Sequence, residues 1–192
     1  MNNSFFAFSS RTKYIYRWAL MRNTERESLA EHTLEVASLA HALAVIGNKR
    51  FGKSYNAERA AVLALYHDTP EIITGDMPTP VKYNSDEMRK EFQKIEDNAC
   101  NRLLDMLPDD LKEEYSPMFF KKDEDEDLWK LVKAADKLSA LIKCIEERKA
   151  GNTEFKMAEK STLQNINKLG CEECSVFLEE FIPAYELTLD QL

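Results

Sequence analysis

Glycine and proline are scarce here, five and six among 192 residues. An all-β chain needs turn residues every few positions, so their rarity disfavours that architecture and leaves long uninterrupted segments. Cysteine is equally sparse. Cys100, Cys144, Cys171 and Cys174 do not form a disulfide framework for a chain of this size, which fits a reducing compartment. There is no Lys/Arg-rich block, and a formal charge of −8 repels polynucleotides over most of the surface. No stretch approaches the roughly 18 apolar residues of a membrane span. The segment holding Phe5, Phe6 and Phe8 lacks the basic start and apolar run of a secretory leader. No membrane partner is expected, and the expected location is the cytoplasm.

What is present is an ordinary globular composition, 44% hydrophobic and 31% charged, with helical rather than alternating periodicity. The chain reads as one all-α domain over residues 1–192. Ser28 and Glu31 have capping-box spacing, and the helix they open is expected to reach Ile46 with Gly47 as its stop. Asn56 caps a second helix, apolar nearly all round and therefore central, which ends near His67. Pro78 and Pro80 break the chain into a loop, and a polar-faced helix is expected from about Asp86 to Leu107. The acidic run at 121–127 leads into a helix closed by Gly151, favourable at a helix N-terminus and needing no acidic ligand. One more helix runs from Asn152 to about Leu169, followed by an amphipathic stretch holding Phe177, Phe181 and Tyr185, either core or a dimer face.

The chain has three histidines. At about 100° per residue, His32 lies within about 40° of Val36, Leu39 and Leu43 and points into the core. His41 falls on the opposite face and reads as structural. His67-Asp68 ends the apolar helix, where either residue is costly to bury unless paired. Asp136 sits at the edge of an apolar stripe among the small residues Ala135, Ser139 and Ala140. Each alone has an ordinary structural explanation, such as a core imidazole satisfied by a carbonyl or a polar helix end. Together His32, His67, Asp68 and Asp136 supply two imidazoles and two carboxylates from three helices, a donor set for one divalent transition metal ion. Structural zinc favours thiolates and none joins this set, so a catalytic ion is expected. Glu71 and Asp76, left over in the same segment, are candidates to handle protons or orient a substrate hydroxyl, against plain surface acidity.

These residues resemble the HD-domain superfamily of metal-dependent phosphohydrolases, whose pattern is a His, an adjacent His-Asp and a distal Asp. RWALMRN (17 to 23), EHTLEVA (31 to 37), ALYHDTPEIITGDMPTPVKY (64 to 83) and KAADKLSALIKCIEE (133 to 147) closely resemble the bacterial YfbR-type 5′-deoxynucleotidases. AGNTEF and FIPAYELTLD extend the resemblance over nearly the whole chain. It implies an HD-type helical bundle that hydrolyses deoxyribonucleoside 5′-monophosphates to the deoxynucleoside and phosphate, by in-line attack of a water on phosphorus. It also implies cobalt, manganese or copper as the ion, while the donor set admits zinc, nickel or iron. By position, Glu71 is the catalytic residue, Asp76 contacts substrate, Arg17 and Trp18 crowd the place of a 2′-hydroxyl, and the protein is a homodimer. Pro70 departs from relatives and bears on where Glu71 sits.

Two other readings stay open. An HD phosphodiesterase or triphosphohydrolase needs cations for extra phosphates, for which Arg17, Arg22, Lys82 and Lys137 are the nearby candidates. A metal-organised helical scaffold without catalysis would bind a partner instead. Cys171-Glu172-Glu173-Cys174 has no second pair at zinc-finger spacing and reads as structural.

Overall fold

Ser28 ends an extended segment and begins one of the two long helices around which the molecule is built. The computed structural model describes residues 3–82 and 84–192. Its α-helices are α1 Phe5–Ser9, α2 Leu29–Arg50, α3 Ala57–Tyr66, α4 Glu71–Thr74, α5 Thr79–Lys82, α6 Asp86–Leu104, α7 Asp109–Tyr115, α8 Glu126–Lys149, α9 Lys156–Lys168 and α10 Glu172–Glu180. Among the described residues there is no β-strand. An antiparallel bridge, Tyr16 with Ser28, closes the loop between α1 and α2. The all-α reading and the single helical domain hold.

The main core is the seam of α2, α3 and α8, where Val36, Leu43, Ala60, Leu63, Leu138 and Ile142 are almost fully buried. Each large aliphatic side chain removed from water there contributes roughly 1.5–3 kcal/mol. A second cluster gathers Phe5, Leu103, Leu104 and Leu107 with Tyr66, Tyr115 and Phe119. Leu63 and Ala64 belong to the first cluster, and Tyr66 packs on the second. The C-terminal end of α3 is therefore enclosed by both.

Several helix limits follow from the caps read in the sequence. Asn56 accepts the Arg59 N–H, and Gly151 takes φ +86° just past α8. Gly47 does not stop α2. The helix runs on to Arg50, and Gly47 is buried inside it because the Tyr55 ring packs there, where an added Cβ would come 2.6 Å from Tyr55 Cε2. Pro80 lies within the short α5, where a first-turn proline loses no helical hydrogen bond. The polar helix α6 ends at Leu104 rather than Leu107, and Pro108 leads into α7, which the sequence reading passed over.

Within the acidic run, Glu126 and Asp127 occupy the first turn of α8. Asp125 instead turns inward, 5% exposed, and accepts from Arg59 Nη2 at 2.7 Å, tying α3 to α8. By length and composition α2 could cross a membrane, yet 56% of its most apolar window is buried inside the protein, as befits a core helix. His41 is exposed on the far face of α2, so it has no structural burial. Cys100 and Cys144 are core, Phe177 is buried, and Phe181 is 42% exposed and stacked on it. Cys171 caps α10 through its sulfur.

Candidate metal centre and active site

The first turn of α2 is fixed by its capping box: the Ser28 N–H donates to Glu31 Oε2 at 2.7 Å, and the Glu31 N–H donates to Ser28 Oγ at 3.3 Å. His32 follows directly and has no exposed surface. At the end of α3, His67 keeps helical dihedrals as the C-cap residue. Its Nδ1–H donates to the Ala64 carbonyl at 2.7 Å, using a helix-terminal acceptor and leaving Nε2 as the free lone pair.

The two rings lie 5.4 Å apart between centroids. Asp68 Oδ2 is 3.1 Å from His67 Nε2 and 3.4 Å from His32 Nε2, while Asp136 Oδ1, from α8, is 3.4 Å from His32 Nε2. One donor atom from each of His32, His67 and Asp68 falls within 4.8 Å of the others. Three of the four predicted donors thus come together, and Asp136 lies beside them through its approach to His32 Nε2 without joining that mutual group. For bonds of about 2.1 Å, neighbouring ligands of a tetrahedral or octahedral ion sit ~3.0–3.4 Å apart, so these spacings fit an ion. Both Nε2 atoms are buried without a hydrogen-bond partner among the described residues. Leaving them so costs a few kcal/mol with nothing in return, and a cation answers both.

The donor groups also shift one another's protonation. Burial alone would raise Asp68, but the His67 and His32 imidazoles outweigh it and hold the carboxylate well below its usual range. Asp136 is lowered in the same way, burial being overcome by His32 and Lys137. Burial would lower His67, and Asp68 raises it instead. Glu71 is different. Burial, reinforced by the Asp68 and Asp76 charges, pushes its carboxyl up to about 10, and its Oε2 has no partner among the described residues. Pro70 ends the α3 turn and precedes α4, so Glu71 opens a new short helix rather than continuing the face of His67. Burial also raises Asp76, against the opposing charge of Arg17.

Arg17 and Trp18 lie on the loop before α2. Arg17 Nη1 donates to Glu27 Oε2 at 2.9 Å and lies 2.7 Å from His32 Nδ1, and Nη2 is 3.8 Å from Asp136 Oδ1. Trp18 Nε1–H donates to the same Glu27 oxygen at 2.9 Å, and its ring packs 5.2 Å from that of Phe155. Trp18 has φ +60°, a conformation costing about 1–3 kcal/mol for such a residue and tolerated where surroundings enforce it. The loop is anchored by Glu147, 1% exposed, which accepts from the Thr24 and Glu25 N–H groups at 2.8 and 3.2 Å.

Three residues that the sequence reading missed support the site. Ser139 Oγ is 3.0 Å from His32 Nδ1 and donates to Glu35 Oε2 at 2.5 Å. The two partners of His32 Nδ1 make opposite demands. A guanidinium only donates, so Arg17 requires an unprotonated Nδ1; a Ser139 hydroxyl committed to Glu35 can only accept, so it requires Nδ1–H. The second arrangement is the one that frees Nε2 for an ion. Glu35 lies three residues after His32, a helical spacing that offered a clue. Glu27 sits in a loop with no such signal.

A family model described as 5′-deoxynucleotidase YfbR-like matches residues 4–185. A 5′-deoxynucleotidase of Vibrio cholerae is 48% identical over 188 residues, 98% of this chain and 97% of its own. This chain belongs to the YfbR-like 5′-deoxynucleotidase family. The Escherichia coli YfbR 5′-deoxynucleotidase is 45% identical, across 98% of this chain and 94% of its own. Among solved structures, an HD-domain phosphohydrolase from Listeria innocua superposes with a TM-score of 0.80 at 24% identity, covering 95% of this chain and 88% of that one. A cyanophage S-2L HD phosphohydrolase, bound to dA and one catalytic Zn²⁺, superposes at 0.65 with 18% identity over 92% and 95%. The fold of this YfbR-like chain is thus one it shares with HD-domain phosphohydrolases.

Proposed function

We propose that this YfbR-like protein hydrolyses deoxyribonucleoside 5′-monophosphates, with His32, His67, Asp68 and Asp136 holding one divalent ion. The observation that carries the reading is the pair of buried, unpartnered imidazole Nε2 atoms facing two carboxylates at 3.1–3.4 Å. When bound, such an ion neutralises phosphate charge and makes water acidic enough to attack phosphorus at neutral pH.

The side chains do the rest. The bond from phosphorus to the 5′-oxygen breaks as the bond to the water oxygen forms, and one proton must pass to the departing oxygen. Glu71 is the catalytic residue, a buried carboxyl that holds or moves that proton. Asp76 contacts the substrate, orienting a sugar hydroxyl. Arg17 and Trp18 crowd the position of a 2′-hydroxyl, rigid bulk being needed because a merely apolar pocket rejects an added hydroxyl weakly. Extra phosphates would depend on Arg22, which is exposed, because Arg17, Lys82 and Lys137 each already face a carboxylate. The ion is cobalt, manganese or copper on the family resemblance. The working location is the cytoplasm, and the protein is a homodimer, with Leu34, Val62 and Leu65 supplying exposed apolar surface for a second copy.

Phosphate release from paired deoxyribo- and ribonucleoside monophosphates, with triphosphates and cyclic nucleotides as controls, tests the substrate. Chelation followed by add-back of single divalent ions tests the metal. Activity on deoxy monophosphates alone supports the reading; release only from tri- or cyclic nucleotides overturns it, and sedimentation at one protomer's mass removes the dimer.

A further inference from the structure

We infer that Glu27 is the positioning residue that sets sugar selectivity, by fixing Arg17 and Trp18 through a single carboxylate oxygen. The inference rests on the proposed deoxyribonucleotide reading and adds a residue to it. The backbone places Glu27 for this task. The Arg17 N–H donates to the Glu27 carbonyl at 3.0 Å beside the Tyr16–Ser28 bridge, so residue 27 lies across from residue 17 in a short antiparallel contact. From there the Glu27 side chain, 12% exposed, reaches both neighbours.

A guanidinium and an indole are donors only, so neither can satisfy the other, and each requires an acceptor. Glu27 Oε2 serves both at 2.9 Å. The consequence differs for the two partners. Arg17 also lies 3.8 Å from Asp136 Oδ1 through Nη2, so it has another anchor. Trp18 has φ +60°, and among the described residues its ring meets the Phe155 face and the Arg17 guanidinium, 5.9 Å from its centroid, while Nε1–H bonds to Glu27. Without the carboxylate the indole loses the one directional contact that fixes its rotation. A wall that excludes a single hydroxyl must hold its position to within a fraction of that group's radius, so loosening Trp18 admits the 2′-hydroxyl before it abolishes turnover.

The test compares wild type, Glu27→Gln, Trp18→Phe and the double variant, each saturated with the supporting ion. The measured quantity is the ratio of kcat/KM for a deoxyribonucleoside monophosphate to that for its ribo counterpart. Glu27→Gln is expected to lower the ratio at least tenfold, with the smaller change in kcat on the deoxy substrate. In the Trp18→Phe background the same substitution is expected to change the ratio less than threefold, because the two act as one unit. An equal loss on both sugars, or an unchanged ratio, overturns the inference.

A second readout does not depend on turnover. The chain has two tryptophans, so Trp129→Phe leaves Trp18 as the sole indole emitter. In that background Glu27→Gln should shift emission to the red and raise acrylamide quenching; unchanged emission overturns the link. If wild type cleaves neither monophosphate, the proposed function has failed while the emission arm still decides whether Glu27 holds Trp18. Should Glu27→Gln not fold, Trp18→Phe alone carries the test, since it keeps a ring and removes the indole N–H, and an unchanged sugar ratio there counts against the inference.

Discussion

Ser139 of α8 donates its hydroxyl to Glu35 of α2 at 2.5 Å while its oxygen sits 3.0 Å from His32 Nδ1. With its proton committed to Glu35, the serine can serve His32 only as an acceptor, which places the imidazole proton on Nδ1 and the lone pair on Nε2. Ser139→Ala should therefore leave the helical fold intact and weaken divalent-ion binding by about 10–100-fold, the usual cost of losing the group that orients a ligand. Calorimetric titration of chelator-stripped protein checks this. Equal ion affinity in the variant would remove Ser139 from the account.

Glu71→Gln or Glu71→Ala should bind the ion and the deoxynucleotide with near-normal affinity yet lose about 10²–10⁴-fold in turnover, the range attributed to a positioned acid or base. The discriminating measurement is substrate binding by the inactive variant. A variant that turns over at the wild-type rate cannot have lost the proton-handling group.

Glu147 makes a pH prediction. Burial would raise its carboxyl, but Lys143 at 2.5 Å and the Thr24 and Asn152 donors hold it down at about 2, below the ordinary 4.5. A depressed carboxylate contributes stability above its unfolded pKa, and that contribution is lost as pH falls from about 4.5 toward about 2. Glu147→Gln leaves Lys143 buried without its counter-charge, a defect worth on the order of 3 kcal/mol at neutral pH. Melting curves of both proteins should converge as the buffer is taken from pH 7 to pH 3, and parallel curves would contradict the assignment.

Gly47→Ala sets two effects against each other. Alanine gains up to about 1 kcal/mol of helix propensity in the interior of α2. The new methyl meets Tyr55 Cε2 at 2.6 Å and Glu173 Oε1 at 2.9 Å, and such overpacking costs about 1–3 kcal/mol. Net destabilisation in urea is expected; a more stable variant would mean that Tyr55 yields freely.

Gly47 also marks the boundary of what was legible in the sequence. Local chemistry was readable: the Ser28 and Asn56 caps, the Gly151 stop, and the inward face carrying His32 are decided within a few residues of themselves. The grouping of His32, His67 and Asp68, with Asp136 beside His32, was legible because His and Asp at the ends or edges of apolar helices are costly unless paired. The role of Gly47 depends on Tyr55 packing over it, and α7 is a short helix whose face is completed by the Phe5 cluster, so neither is decided by neighbours in sequence. Glu27 escaped for the same reason, and Glu35 despite its helical spacing from His32. One bonds across a loop and the other across two helices, and a lone glutamate on either looks like ordinary surface charge.

The measurement closest to the central claim is the count of divalent ions per chain, by elemental analysis of exhaustively dialysed protein loaded with a single metal. Wild type is expected to retain one ion per chain and to gain thermal stability with the logarithm of the free ion concentration above Kd, while Asp68→Ala and His32→Ala retain none and gain nothing. Equal retention by wild type and both variants would mean that the ion, if bound at all, sits elsewhere, and that the convergence of His32, His67, Asp68 and Asp136 has another purpose.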